Sequence, residues 1–193
     1  MQHIEKVIGF DLRVNGDEED AEWSAARRDQ YLLRPDVKRP LSTDVWVWGS
    51  VMSPDHSREL SPDLDALARS ALAAPPPTPW IVALTILIEP GHTDAEVAWG
   101  EAIAYLQGAF PLPSGWLLGY DVSDSFLLSG LSNCGYSPHE IEALKQHFLP
   151  RLNRFHLFDD PEHALAFKAE TNKRVSEHSP FFVYGLYRVP SSS

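Results

Sequence analysis

Residues 80–88 read WIVALTILI and form the longest apolar run in the chain. Apolar side chains occupy both alternating sets of positions, and proline lies close to either end. The run is too short for a membrane-spanning helix, which needs about 20 apolar residues. A continuous apolar run bounded by turn residues is typical of a strand buried inside a sheet. We therefore predict that residues 80–88 form a central strand.

Strand patterns on both sides of this run extend it into a sheet. β-rich or alternating segments predict further strands at residues 7–14, 44–52, 116–122, 126–131 and 181–189. The last of these is apolar on both faces and is also predicted to be central. Segments 116–122 and 126–131 are so close that they would need a hairpin, whereas the other connections are long enough for crossovers.

Helix signals lie between the predicted strands. The predicted helix starts are at Ser61, Thr93, Ser137 and Asp160. The first of these helices has an apolar stripe made of Leu64, Leu67, Ala68, Ala71 and Leu72. We predict one globular domain over residues 1–193, of the α/β or α+β class. Its central mixed sheet would have about five to six strands, covered by about four to five helices.

The net charge restricts the class of partner. The chain has 27 acidic and 16 basic residues and a formal net charge of −11. A nucleic-acid binder needs cations that replace the counterions of the phosphates, so this charge argues against DNA or RNA as a ligand. The charge favours a basic protein partner, or it serves only to keep the protein in solution.

The densest acidic run lies in residues 15–40. This segment is predicted either as a helix through about Leu33, with acids in its first turn, or as a flexible acidic segment. The acidic residues predicted to bind a basic partner are Asp17, Glu18, Glu19, Asp20, Glu22, Asp121 and Asp124.

Signatures of cofactor and metal chemistry are missing from the sequence. Glycine-rich phosphate loops, HExxH and GxSxG do not occur, and no histidine pair has metal-ligand spacing. We therefore expect neither a cofactor nor a metal ion. The single cysteine excludes an internal disulfide, and residues 1–6 lack the order of a secretory signal, so we expect a cytoplasmic protein without a membrane segment.

One polar, glycine-containing stretch, residues 119–136, is a candidate active site. Cys134 precedes the predicted helix start at Ser137, where a helix N-terminus would lower the pKa of a thiol. His178 or His139 would be its base, and Asp121 would orient that base. We favour the alternative that these residues are structural. A lone cysteine packs like a small hydrophobe, and Asp121 and Asp124 would cap turns by accepting backbone N–H groups.

Aromatic residues give the last functional signal. Trp46, Trp48, Tyr184 and Tyr187 lie on predicted strands, where such side chains either fill a core or anchor an interface. Three functions remain open. The first is a small acidic binding protein, such as an immunity or inhibitor protein that neutralises a basic toxin or enzyme domain. The second is a cysteine-dependent hydrolase or transferase that uses loop 119–136. The third is a structural or adaptor domain without an active site.

Overall fold

Four antiparallel strands form the centre of the protein in a computed structural model. The structure describes residues 3–13, 60–74, 79–110, 116–131 and 135–190. The strands are β1 (Ile4–Arg13), β2 (Trp80–Ile88), β3 (Leu117–Ser123) and β4 (Phe182–Val189). Their order is β1-β2-β4-β3, and every neighbouring pair is antiparallel. The prediction that 80–88 and 181–189 contain central strands is therefore confirmed.

Burial explains why β2 and β4 take the central positions. Every residue from Ile81 to Ile88 and from Phe181 to Tyr187 is buried. Side chains of a strand alternate between the two faces of a sheet, so both faces of these strands must be covered. Continuous apolar sequence satisfies that requirement, and it is the property from which both strands were predicted.

Four helices cover the two faces of the sheet within the described residues. They are α1 (Leu64–Ala73), α2 (Asp94–Leu106), α3 (Pro138–Phe148) and α4 (Pro161–Arg174). α1 packs on the face that carries Ile81 and Ala83. α3 and α4 pack on the same face nearer β3, against Val122 and Val183. α2 covers the opposite face, where it packs on Leu84 and neighbouring side chains.

The architecture is α+β, and it differs in detail from the sequence prediction. The described residues form an antiparallel sheet of four strands, whereas a mixed sheet of about five to six was predicted. The predicted strand at 44–52 and the predicted helix through Leu33 lie outside the described residues. Segment 126–131 is a turn rather than a strand, and only Ser129 forms an isolated bridge there, to Ser123.

Two of the predicted helix starts are confirmed in atomic detail. Ser137 Oγ accepts the backbone N–H of Glu140 at 3.4 Å, and Glu140 Oε2 accepts the backbone N–H of Ser137 at 2.9 Å. This reciprocal pair is the capping box that the sequence predicts. Asp160 accepts the backbone N–H of Glu162 at 2.9 Å and caps α4.

The other two helix starts need correction. α1 is capped by Asp63, two residues after the predicted Ser61, which instead forms a backbone bridge to β1. Thr93 does precede α2, but its side chain makes no capping hydrogen bond. Glu96, the other half of that predicted capping box, lies 3.2 Å from Lys6 Nζ on β1.

Candidate functional site

The loop after β3 is organised by Asp124. Its Oδ1 accepts the backbone N–H groups of Phe126 at 2.8 Å and Leu128 at 3.0 Å. Its backbone carbonyl accepts the hydroxyl of Tyr184 at 3.1 Å. These bonds hold Leu127 at a φ of 65° and bend the chain away from an extended course. The interpretation of Asp124 as a turn-capping residue is supported.

Asp121 ties β3 to the segment that follows this turn. Its Oδ1 accepts the backbone N–H of Val122 at 2.8 Å and the hydroxyl of Ser129 at 2.7 Å. The Ser129 hydroxyl oxygen in turn accepts the backbone N–H of Leu131. Asp121 is 0% exposed and Asp124 is 3% exposed, so neither presents its carboxylate to a protein partner at the surface.

His178 lies next to one of these carboxylates. Its Nδ1 is 3.4 Å from Asp124 Oδ2, and its side chain is 37% exposed. A buried carboxylate beside Nδ1 fixes the orientation of an imidazole and leaves Nε2 for a reacting group. The carboxylate that lies here is Asp124, whereas the sequence suggested Asp121. His139 is exposed in the first turn of α3, and Cys134 lies outside the described residues.

A polar cluster that the sequence analysis missed crosses the sheet. Thr85 Oγ1 on β2 donates to Glu5 Oε1 on β1 at 2.5 Å and lies 3.3 Å from the carbonyl oxygen of Gly185 on β4. Burial raises the pKa of the Tyr187 phenol, and the carboxylate of Glu5 raises it further. The same two causes raise the pKa of Tyr120 on β3. Both phenols therefore stay protonated at neutral pH, and neither is a ready general base.

The outer face of α2 is the second feature that the sequence analysis missed. The inner face of the helix buries Ala95, Trp99, Ile103 and Leu106. The opposite face forms what we term the α2 stripe, which consists of Asp94, Val97, Glu101 and Tyr105, all exposed. Val97 is 81% exposed and Tyr105 is 71% exposed. Trp99 Nε1 donates to the Tyr184 hydroxyl at 3.0 Å and anchors the helix beneath this stripe.

The charges of the α2 stripe are not neutralised by cations on the helix. No lysine or arginine occurs between Arg69 and Lys145 in the sequence. Glu96 is paired with Lys6, but Asp94 and Glu101 have no ion-pair partner among the described residues. The stripe thus combines two carboxylates that lack an ion-pair partner in the described part of the chain with an exposed valine and an exposed tyrosine. Its spacing of three to four residues was readable from the sequence, on the side of the helix opposite the apolar stripe.

The remaining candidate residues divide between the core and the part of the chain outside the described residues. Tyr184 is 0% exposed and Tyr187 is 8% exposed, so both fill the core rather than a surface. Trp46 and Trp48 lie outside the described residues, as do the acidic residues Asp17, Glu18, Glu19, Asp20 and Glu22. Their proposed roles in binding stay predictions.

Neither the described residues nor the comparisons with known proteins identify a function directly. Within the described ranges, no group of three or more His, Cys, Asp or Glu side chains is placed to hold a metal ion. None of the described helices has the length and apolarity needed to cross a membrane. The chain matches no protein family, no curated protein and no solved structure.

Proposed function

We propose that this chain is an acidic binding protein that captures a basic protein partner, in the manner of an immunity or inhibitor protein. The observation that carries the proposal is the α2 stripe, in which exposed Val97 and Tyr105 alternate with Asp94 and Glu101, two carboxylates without an ion-pair partner among the described residues. Carboxylates steer the approach of a cationic surface. A tyrosine that becomes buried when the complex forms then contributes to the free energy of binding.

The packing of α2 suits this role. Trp99 and Ile103 are buried against the sheet, so the helix presents the stripe on a rigid support. A rigid surface loses little conformational entropy when it binds, and more of the contact energy is retained as affinity. The acidic residues predicted at 17–22 would add to the negative charge that attracts a basic partner. We also propose that the protein is cytoplasmic.

Capture from native cells with matched variants tests the proposal. The affinity-tagged chain is compared with Glu101→Lys and Tyr105→Ala, and retained proteins are identified by mass spectrometry. The controls are Glu142→Lys, which reverses an exposed charge on α3, and Leu72→Ala, which removes a 76% exposed side chain from α1. We expect one basic partner that both α2 variants lose and both controls keep. An acidic partner, or equal retention by all four variants, would contradict the proposal.

A cysteine-dependent hydrolase or transferase is the second candidate, because His178 lies beside Asp124. If the imidazole activates Cys134, the native thiol should react with iodoacetamide well below pH 8, and His178→Gln should slow that reaction about tenfold or more. Labelling that occurs only after unfolding would exclude this candidate. In that case the structural or adaptor interpretation is the remaining alternative to a binding protein.

A further inference from the structure

A groove of about 620 Å³ lies where β2 and β3 begin and β4 ends. Among the described residues, its walls are Trp80, Trp116, Arg154, Phe155 and Arg188, together with two leucines. None of these residues belongs to the α2 stripe or to the loop after β3. The volume falls within the range of about 300–1,000 Å³ that is typical of small-molecule sites.

Sheet pairing places Arg188 close to two indole rings. Its backbone N–H donates to the carbonyl oxygen of Trp116 at 2.9 Å, and it lies opposite Val82 in the register of β2 and β4. Its guanidinium carbon is 4.3 Å from the ring centroid of Trp80 and 5.3 Å from that of Trp116. An arginine that stacks on aromatic rings keeps the N–H groups at its edge available for an anion.

A second arginine reaches the groove from the loop before α4. The guanidinium carbon of Arg154 lies 4.6 Å from the ring centroid of Phe155. Neither Arg154 nor Arg188 has a carboxylate partner within the described part of the chain. No described residue that lines the groove is acidic. In a chain with a net charge of −11, the described lining of the groove is thus locally positive and has aromatic walls.

We infer that this groove binds a small phosphate monoester that carries a planar ring, of the nucleoside monophosphate class. A phosphate dianion can accept N–H groups from two guanidinium groups at once. The ring would lie against Trp116, which is 56% exposed, and against Phe155. Stacking of a base on an aromatic side chain is favourable whatever the identity of the base.

Calorimetric titration of the full chain tests this assignment, with adenosine monophosphate as the probe. We expect a Kd below about 1 mM for it, with adenosine and inorganic phosphate each at least about tenfold weaker. Benzoate supplies a planar ring with a carboxylate, and it should also bind more weakly, because it offers fewer acceptor oxygens to the two arginines.

Arginine variants test whether adenosine monophosphate binds in this groove. Arg154→Gln and Arg188→Gln should each weaken the affinity for adenosine monophosphate about tenfold. The matched control is Arg151→Gln, which removes the same charge from an arginine that stacks on Phe148 outside the groove, 5.5 Å from its centroid. Arg154 is exposed, so its variant should fold even if Arg188→Gln does not.

Three results would overturn the inference. The first is that adenosine monophosphate does not bind at concentrations up to about 5 mM. The second is that Arg151→Gln weakens binding as much as Arg154→Gln, which would show an effect of overall charge rather than of the groove. The third is that benzoate binds more tightly than adenosine monophosphate, which would contradict the phosphate assignment.

Discussion

At the scale of single residues, Gly185 lies at a point of the sheet where neighbouring side chains leave no room for a Cβ atom. A Cβ atom at this position would lie 2.5 Å from Glu5 Oε1 and even closer to Thr85 Oγ1. The absence of a side chain lets the polar groups of Glu5 and Thr85 meet above β4. Gly100 in α2 is a useful contrast, because nothing lies within 4 Å of a Cβ built there.

We expect Gly185→Ala to destabilise the protein by about 1–3 kcal/mol, the usual cost of forcing extra volume into a packed interior. Gly100→Ala should instead stabilise it by up to about 1 kcal/mol, since alanine favours a helix more than glycine does. Urea unfolding measures both changes. Equal effects of the two substitutions would show that Glu5 and Thr85 do not restrict position 185.

Because of Tyr187, we expect the free energy of unfolding to depend on pH in the alkaline range. Its pKa in the folded protein is raised above the value of about 10 in the unfolded chain, because of burial and the charge of Glu5. Above pH 10 the unfolded state therefore loses a proton that the folded state keeps, and the free energy of unfolding falls by about 1.4 kcal/mol per pH unit for this group. Tyr187→Phe should make the decline between pH 10 and 11 smaller by about 1 kcal/mol, because the unfolded phenol is only half ionised at pH 10 and the full slope is reached at higher pH. Urea unfolding that shows the same slope for both proteins would refute this coupling.

At the scale of elements, the start of a helix depends on which bonds its capping residues make. Ser137 and Thr93 occupy the same position relative to their helices, and each is followed three residues later by a glutamate. Only Ser137 makes the capping hydrogen bond. Glu96 lies instead beside Lys6, a contact between distant parts of the chain. The same sequence pattern therefore has different structural outcomes.

We expect Ser137→Ala to lower the free energy of unfolding by about 1 kcal/mol, which is typical for the loss of a side-chain cap. Thr93→Ala should change it by less than about 0.5 kcal/mol, because no capping bond is lost. Thermal and urea unfolding of the two variants, side by side, check this difference. A larger effect at Thr93 would mean that its hydroxyl caps α2 in solution.

α1 offers a similar comparison of two leucines within one predicted stripe. Leu67 is 0% exposed, whereas Leu72 is 76% exposed and does not join the core, contrary to the periodicity of the sequence. We expect Leu67→Ala to cost about 2–5 kcal/mol, and Leu72→Ala to cost less than about 0.5 kcal/mol. Urea unfolding measures both. A loss below about 0.5 kcal/mol at Leu67 would place α1 away from the sheet.

Elements were predictable from sequence where the local pattern and the tertiary contacts agree. β2 and β4 satisfy this condition, since apolar side chains on both faces suit central positions. Segment 126–131 does not: its leucines favour a strand, but the side chain of Asp124 takes the backbone N–H groups that a strand would pair. Such a competing bond becomes visible only when the course of the backbone is known.

At the scale of the whole molecule, charge is the property that links the sequence to the proposed function. The net charge was readable from composition, but its arrangement was not. Asp121 and Asp124, chosen from the sequence as binding residues, are buried. The exposed carboxylates Asp94 and Glu101 were not predicted as binding residues, because they do not form a continuous acidic run. Sequence spacing identifies their face of the helix, but only the folded structure shows that Glu96 is paired with Lys6 whereas Asp94 and Glu101 have no ion-pair partner among the described residues.

The most direct test of the central claim is the association rate with the captured partner, measured by stopped-flow fluorescence across a salt series. Raising the ionic strength from 0.01 M to 0.15 M shortens the Debye length from about 30 Å to about 8 Å. If the α2 stripe steers a basic partner, the wild-type rate should fall at least about tenfold over this range. Glu101→Lys should associate more slowly and show a weaker salt dependence, whereas Glu142→Lys should stay closer to the wild type. A rate indifferent to salt, or the same loss in both variants, would contradict the account.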